Sequence, residues 1–342
     1  MAKAQRLVKL ARIDNDEQEY RFANLLSQKR YAASSGIRSD AGGDFGFLYK
    51  FSNRHEFYNN LWANALGSAT FTDGGYGTLY GANVGYDRFV PVGEGGLIVG
   101  LVASYGYGSY KADLLKNQSH NVNAGIYSRS IFANNEIDIN VGYTIGMNSE
   151  DLYTRNNVWL SSLDQSYKYN THTINANASY GYIFSTQSSG FVFKPSLGMS
   201  FYHIFTGALD ADSKQVLSAD NPNAPAQNLA VQSPEVSRNL FALNLALETR
   251  QYLSKGSYWF VNVGAQRDMF ITGGDVLQVR FVGEESLNYK KSDNLNTFAL
   301  ASAGGEVQLG RRMFVNFSLG GKYGLSYKDI GVQANLGSRI VF

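Results

Sequence analysis

One histidine of this sequence has neighbours that could support hydrolysis. His203 follows Ser200 and precedes Asp210 and Asp212, and these are the residue types of a nucleophile, a base and an orienting acid. Such a trio acts only if the fold brings the three groups together. His203 shares its alternation phase with the phenylalanines two residues before and after it, which predicts an apolar environment for its ring. We therefore expect no catalytic site and no enzyme activity.

The remaining histidines indicate no metal site. His55, His120 and His172 are far apart and lack the short spacings of zinc ligands, and the chain has no cysteine. The glycine-rich segment "GEGG" lacks the strand and helix that flank a phosphate-binding loop. We expect no cofactor, and the net charge of +2 gives no electrostatic reason to expect a nucleic-acid partner.

The composition indicates a β-rich protein with an aromatic bias. The 342 residues include 36 Gly, 23 Tyr and 21 Phe but only 5 Pro, and 17% are charged, against about 25% in typical soluble domains. No run of about 18 apolar residues is present, which excludes helical membrane spans but not a β-barrel, whose strands are apolar only at every second position. The first 20 residues lack the apolar region and the cleavage site of a signal peptide. If the protein is exported, we therefore expect this chain to be part of a longer one.

From about residue 57 onwards, apolar and polar residues alternate with the two-residue period of β-strands. Short connections follow the second, fourth, sixth, eighth and tenth segments, and long ones follow the fifth, seventh and ninth. This sorting of connections by length is typical of an outer-membrane barrel, whereas a soluble sandwich has no reason for it. We place twelve strands near 57–70, 76–90, 97–108, 119–132, 137–148, 173–184, 190–206, 241–250, 257–271, 293–309, 313–322 and 330–342.

The polar face of these segments carries mainly Gly, Asn and Ser, which suits a crowded and hydrated barrel interior. A soluble barrel or sandwich, the alternative, would place more charged residues on its polar face. The apolar face has Tyr and Phe towards the strand ends, as interfacial girdles require. The predicted lipid-facing residues include Leu101, Val141, Leu243, Leu245, Val315 and Phe317. The predicted lumen-facing residues include Asn140, Asn175, Asn177, Asn244, Glu248, Arg250, Asn316, Lys322 and Arg339.

The beginning of the chain differs from the rest. Residues 1–36 are rich in Ala, Leu, Arg, Lys, Glu and Gln, and the first 34 contain neither Pro nor Gly, which predicts a helix ended by Gly36. The helix is polar on most sides, and a twelve-stranded barrel is wider than its own side chains can fill. We therefore expect three parts, all-β except for the first: a pore helix plugging the lumen (1–36), a linker (37–56) and a transmembrane β-barrel (57–342).

These features together resemble a known family, the C-terminal translocator domains of type Va autotransporters. The resemblance covers the leading helix, the first strand and hairpin "LWANALGSATFTDGGY", the second strand "YGANVGYDRF" and an aromatic last residue. The Tyr-, Asn- and Gly-rich strands are most similar to translocators of the vacuolating-cytotoxin type. The resemblance implies location in the outer membrane of a Gram-negative bacterium, contact with outer-membrane lipids, and export of an N-terminal passenger that is absent from this chain.

The resemblance also implies an assembly signal in "NLGSRIVF", which the barrel-assembly machinery would bind. In this family a polar residue is followed by a glycine and by apolar or aromatic residues, which here are Asn335, Gly337, Ile340 and Phe342. Some members cut their passenger between two asparagines of the pore helix, but no such pair occurs in residues 1–36. The competing interpretation is a twelve-stranded outer-membrane channel or porin, which a signal peptide directly before this chain would favour.

Overall fold

A computed structural model of the protein shows a closed barrel of antiparallel strands. It describes residues 59–342 except 73–74, 93–94, 113–114, 133, 153–164, 187–189, 209–210, 214–230, 233–234, 254–256, 274–275, 282–286, 291–294, 311 and 327–328. The predicted pore helix and linker lie outside these residues. No helix of the described residues is long and apolar enough to cross a membrane.

Twelve long strands form the barrel wall in the described part of the chain, each paired with its sequence neighbours. The first and last strands also pair with each other, from Asn60 opposite Val341 to Phe71 opposite Ile330, and this pairing closes the ring. The predicted all-β barrel of twelve antiparallel strands is thus confirmed. The strands are β1 (Asn59–Thr72), β2 (Gly75–Val92), β3 (Gly95–Ala112), β4 (Leu115–Phe132), β5 (Asn135–Leu152), β6 (Gln165–Tyr182), β7 (Phe191–Thr206), β8 (Val236–Tyr252), β9 (Tyr258–Thr272), β10 (Thr297–Gln308), β11 (Met313–Gly324) and β12 (Ile330–Val341).

The two ends of the barrel differ in their connections. At the turn end, which also holds Asn59 and Phe342, short segments join β2 to β3, β4 to β5, β6 to β7, β8 to β9 and β10 to β11. At the loop end, long segments follow β5, β7 and β9. These long segments contain the short strands Ala211–Ser213, Val231–Gln232, Val276–Phe281 and Leu287–Lys290, and a further short strand, Phe184–Thr186, pairs with the start of β7.

Several strands run further towards the loop end than the sequence pattern predicts. β5 continues to Leu152 instead of ending near 148, and β6 begins at Gln165 instead of near 173. The two remain paired there, with Asp151 opposite Ser166. Both faces of a strand meet water once it leaves the apolar layer, so the alternation fades while the backbone pairing continues.

Large apolar side chains cover the outside of the wall. Leu245 is 63% exposed and Leu101 is 60% exposed, and exposed apolar residues recur at alternate positions of nearly every long strand. A water-soluble monomer seldom exposes such a continuous apolar surface, whereas a bilayer solvates it. The opposite face of each strand points into the barrel.

The position of Leu245 gives a test of this arrangement. It lies near the middle of β8, so Leu245→Arg should lower the free energy of unfolding by about 2–4 kcal/mol, the cost of Arg near the bilayer midplane. Asn244→Arg, one residue away on the inner face, should cost much less. Urea titration of the two refolded variants in lipid vesicles measures both values, and equal costs would contradict the assignment of the faces.

Candidate functional site in the lumen and the closing strand

The barrel encloses a cavity of about 270 Å³ that neutral polar side chains line together with several charged ones. Some of these side chains are joined across strands: Asn177 Nδ2 donates to Asn140 Oδ1 at 2.7 Å, and Asn244 Nδ2 donates to Ser200 Oγ at 2.9 Å. These amides and hydroxyls make much of the wall wettable without adding charge. The amides and hydroxyls that line it include Asn140, Asn177, Ser196, Ser200, Asn244, Asn262, Gln266, Ser302, Ser318, Gln333 and Asn335.

Towards the turn end the inner wall carries charged side chains that pair with one another. Lys194 Nζ lies 2.6 Å from Glu136 Oε1 and 3.3 Å from Glu248 Oε2, so this one ammonium joins β5 to β8. Arg250 also pairs with Glu248. Arg129 on β4 pairs with Asp138 on β5. The charges are of both signs and largely compensate within the wall.

A separate ion pair lies beside the closing strand. Arg339 on β12 donates from Nε to Glu306 Oε2 at 2.8 Å and from Nη2 to Glu306 Oε1 at 2.5 Å. The guanidinium also stacks on Phe314 of β11, with Cζ 3.9 Å from the ring centre. Arg339 is 1% exposed and Glu306 is 0% exposed. This two-point contact ties β12 to β10 across β11. It holds the part of β12 that lies near the turn end.

A further polar group connects β1, β2 and β4. Tyr127 on β4 donates its hydroxyl to Asp87 Oδ2 on β2 at 2.6 Å, and Trp62 Nε1 on β1 donates to the same tyrosine oxygen at 2.9 Å. Asn60 Nδ2 on β1 also donates to Asp87 Oδ2, at 3.1 Å. Sequence reasoning missed these residues, because it assigned the aromatic side chains of the barrel to the lipid face.

Glycines on the inner face make room for these inward aromatic rings. A Cβ added to Gly85 would overlap the Trp62 ring, and one added to Gly100 would overlap the Tyr127 ring. Phe260 covers Gly304 in the same way. The sequence signal for this arrangement was an aromatic residue in the polar phase of one strand together with a glycine in the polar phase of the next.

The structure places the predicted lumen residues on the inner side of the wall. Five of them line the cavity, namely Asn140, Asn177, Asn244, Glu248 and Lys322. The other four are buried within the wall, namely Asn175, Arg250, Asn316 and Arg339. Of the predicted lipid-facing residues, Val315 is half-buried. The others are exposed, namely Leu101, Val141, Leu243, Leu245 and Phe317.

The four residues of the predicted assembly signal lie on both faces of β12 and at its end. Asn335 lines the cavity, and Gly337 faces the same side beneath the side chain of Asn64. Ile340 and Phe342 are exposed on the outside. Phe342 also exchanges two backbone hydrogen bonds of 2.9 Å with Asn59, so the chain is paired to its last residue.

Of the residues considered for catalysis, His203 and Ser200 do not come together. His203 lies on the outer face, where its Nδ1 is 2.8 Å from Asn239 Oδ1 on β8. Ser200 lies on the inner face and lines the cavity, so the sheet separates it from the imidazole. Asp210 lies outside the described residues. No group of three or more His, Asp or Glu within the described residues is placed to hold a metal ion.

Known proteins with similar sequences share one description. The sequence model described as "Vacuolating cytotoxin autotransporter VacA, C-terminal domain" matches residues 6–342. A vacuolating cytotoxin autotransporter from Helicobacter pylori is 32% identical over 299 residues, which is 86% of this chain and 21% of that protein. A second from the same species is 31% identical over 297 residues, or 86% of this chain and 22% of that protein. The chain therefore spans about a fifth of the length of the curated relatives that it matches.

Two solved structures share the fold at low sequence identity. The translocator domain of autotransporter NalP from Neisseria meningitidis has a TM-score of 0.65 and 13% identity, with 92% of this chain and 98% of that domain covered. The β-domain of the Bordetella autotransporter BrkA has a TM-score of 0.57 and 14% identity, with 83% and 100% covered. Both show the same type of closed barrel.

The Arg339 ion pair gives a test of the inner wall. Glu306→Gln leaves the guanidinium buried without its carboxylate, so the free energy of unfolding should fall by about 3–5 kcal/mol. The double variant Glu306→Gln/Arg339→Gln should lose less than the sum of the two single variants, because each charge is then removed with its partner. Urea titrations of the four refolded proteins measure the coupling, and strictly additive losses would show that the pair contributes nothing.

Proposed function

This chain belongs to the family of the C-terminal domain of the vacuolating cytotoxin autotransporter VacA, and we propose that it exports the N-terminal passenger of a longer protein. The domain is an outer-membrane β-barrel of a Gram-negative bacterium. The observation that carries the proposal is the family match, which runs along nearly the whole chain from residue 6 to residue 342. The matched relatives are much longer than this chain, so the passenger would be the segment that precedes the barrel.

The route that we propose for the passenger is the barrel lumen. Short turns of outer-membrane barrels face the periplasm, so Asn59 at the turn end lies on the periplasmic side. A passenger preceding residue 1 must reach the opposite side, and the lumen is the polar path through the apolar layer. The neutral amides around the cavity and the self-paired charges near the turn end support this route, because an extended chain could pass them without meeting a strong fixed charge.

We further propose that residues 1–36 form a pore helix that occupies this lumen, with residues 37–56 as the linker to the barrel. A helix rises about 1.5 Å per residue, so about 30 residues reach about 45 Å, enough to cross an apolar layer of about 25 Å. The polar surface that the sequence predicts for the helix matches the polar inner wall. The domain would then act as a plugged translocator without a catalytic step, a metal or a cofactor.

Removing the proposed plug gives the main test of function. A variant that begins at residue 37 should still fold, because the strand ladder closes without the helix and leaves no unpaired edge. Its lumen would be water-filled, so single-channel conductance in planar bilayers should rise steeply relative to the full chain. A heat-shift gel confirms that both barrels are folded. If the two barrels conduct equally, an open channel is the better account of the fold.

The proposed contact with the barrel-assembly machinery is tested at the last residue. Phe342→Ala keeps both backbone hydrogen bonds to Asn59 and removes only the exposed ring. It should lower the amount of barrel assembled in cells more than it lowers the stability of barrel refolded in detergent, because recognition of an exposed strand end precedes folding. Phe317→Ala on β11, also exposed, is the control and should assemble normally. A parallel fall of both quantities in Phe342→Ala would assign the ring to stability alone.

A further inference from the structure

The pairing of β12 with β1 is unlike every other pairing of the twelve long strands. The other eleven join strands that follow one another along the chain, so a connecting segment limits how far one strand can slide past the next. No connection joins β12 to β1, since the two lie at opposite ends of the described chain. Side chains must therefore fix the register of this closing pair.

The apolar and polar alternation fixes that register only in part. A slip of one residue would turn the apolar face of β12 into the lumen, so the alternation strongly excludes it. A slip of two residues keeps every side chain on its own face. On the outer face, a slip of two residues only exchanges one apolar or small neighbour for another, for example Ala334 or Ser338 opposite Ala65 in place of Leu336.

One inward contact distinguishes the native register from a slip of two. Asn64 of β1 lies directly opposite Gly337 of β12, and a Cβ added to this glycine would coincide with the Asn64 side-chain oxygen. Asn64 is 3% exposed, so its amide fills the space above the glycine. A slip of two residues would place Asn64 opposite Asn335 or Arg339, and neither leaves the space that the glycine leaves.

Each side of this contact is also held by a neighbouring strand. Asn64 Nδ2 donates to Asn83 Oδ1 of β2 at 3.0 Å, so the β1–β2 hairpin orients the amide. On the other side, Arg339 is tied to β10 through Glu306, which holds β12 against its neighbours. The amide and the glycine can thus be in place before the barrel closes.

We propose that the contact between Asn64 and Gly337 sets the register in which the barrel closes, and that Asn64 is a positioning residue for this step. The glycine of the terminal segment then has a role inside the folded wall, whether or not assembly factors also bind that segment. The inference concerns the barrel alone, so it stands or falls separately from the export of a passenger.

Disulfide trapping can measure the register, because the full chain contains no cysteine. Ala65→Cys with Leu336→Cys reports the native register, in which these exposed residues are opposite each other. Ala65→Cys with Ala334→Cys, or with Ser338→Cys, reports slips of two residues in either direction. The three pairs are oxidised in the otherwise unchanged full chain, and the disulfide yield is measured in the folded barrels that a heat-shift gel separates.

Without further substitutions, the barrel should form the native disulfide almost exclusively. Asn64→Ala empties the space above the glycine and should raise the ratio of slipped to native disulfide by roughly fivefold or more, since a buried side-chain contact and its hydrogen bond are lost. Gly337→Val fills that space and should lower the native disulfide within the folded fraction. Gly321→Val is the control for added bulk, because a Cβ at this glycine, on the outer face of β11, meets nothing closer than 3.5 Å.

Asn64→Ala keeps the test decisive even if Gly337→Val does not fold. Barrels of Asn64→Ala that form only the native disulfide, at the yield of the unchanged chain, would overturn the proposal. A Gly321→Val variant that slips as much as Gly337→Val would also overturn it, because any added bulk on these strands would then disturb the register. Slipped disulfides in Asn64→Ala together with an unaffected Gly321→Val would support it.

Discussion

The structure depends on the rule that no backbone hydrogen-bonding group can be left unpaired in lipid. An open sheet would expose the N–H and C=O groups of its two edge strands, so only a closed ring of strands is stable in the apolar layer. In this chain the two edges are β1 and β12, and their pairing runs from one end of β12 to the other. The rest of the barrel therefore depends on a contact between the two ends of the described chain.

Closure also determines what the inside must contain. Twelve strands enclose more space than small inward-facing residues alone would fill. Larger side chains therefore occupy part of the interior. Near the turn end, ion pairs such as Lys194 with Glu136 and aromatic residues such as Trp62 occupy the wall. These residues also line the cavity, where amides and hydroxyls such as Asn177 and Ser200 accompany them. The lumen thus combines a packed, internally neutral wall with a wettable passage, which is the combination that a translocator requires.

The sequence predicts the architecture well, because a bilayer imposes a two-residue period that few other environments impose so uniformly. All twelve long strands follow from that period, and the unequal connections predict the two ends. The extent of β5 and β6 beyond the apolar layer could not be predicted, since backbone pairing continues there without a side-chain pattern. The group of Asp87, Trp62 and Tyr127 could not be predicted either, because these residues come from three strands and meet only through the barrel's register.

The same limit explains why Gly337 is ambiguous when only the sequence is known. A glycine in a terminal strand can serve recognition by other proteins or packing within its own fold, and both give the same spacing to its neighbours. The structure shows the packing requirement, since Asn64 occupies the space that any side chain at position 337 would need. A signal bound before folding and a contact made after folding can share one residue, because the first needs an exposed, flat strand and the second needs the space left by the missing side chain. Glycine meets both needs, and no larger residue does.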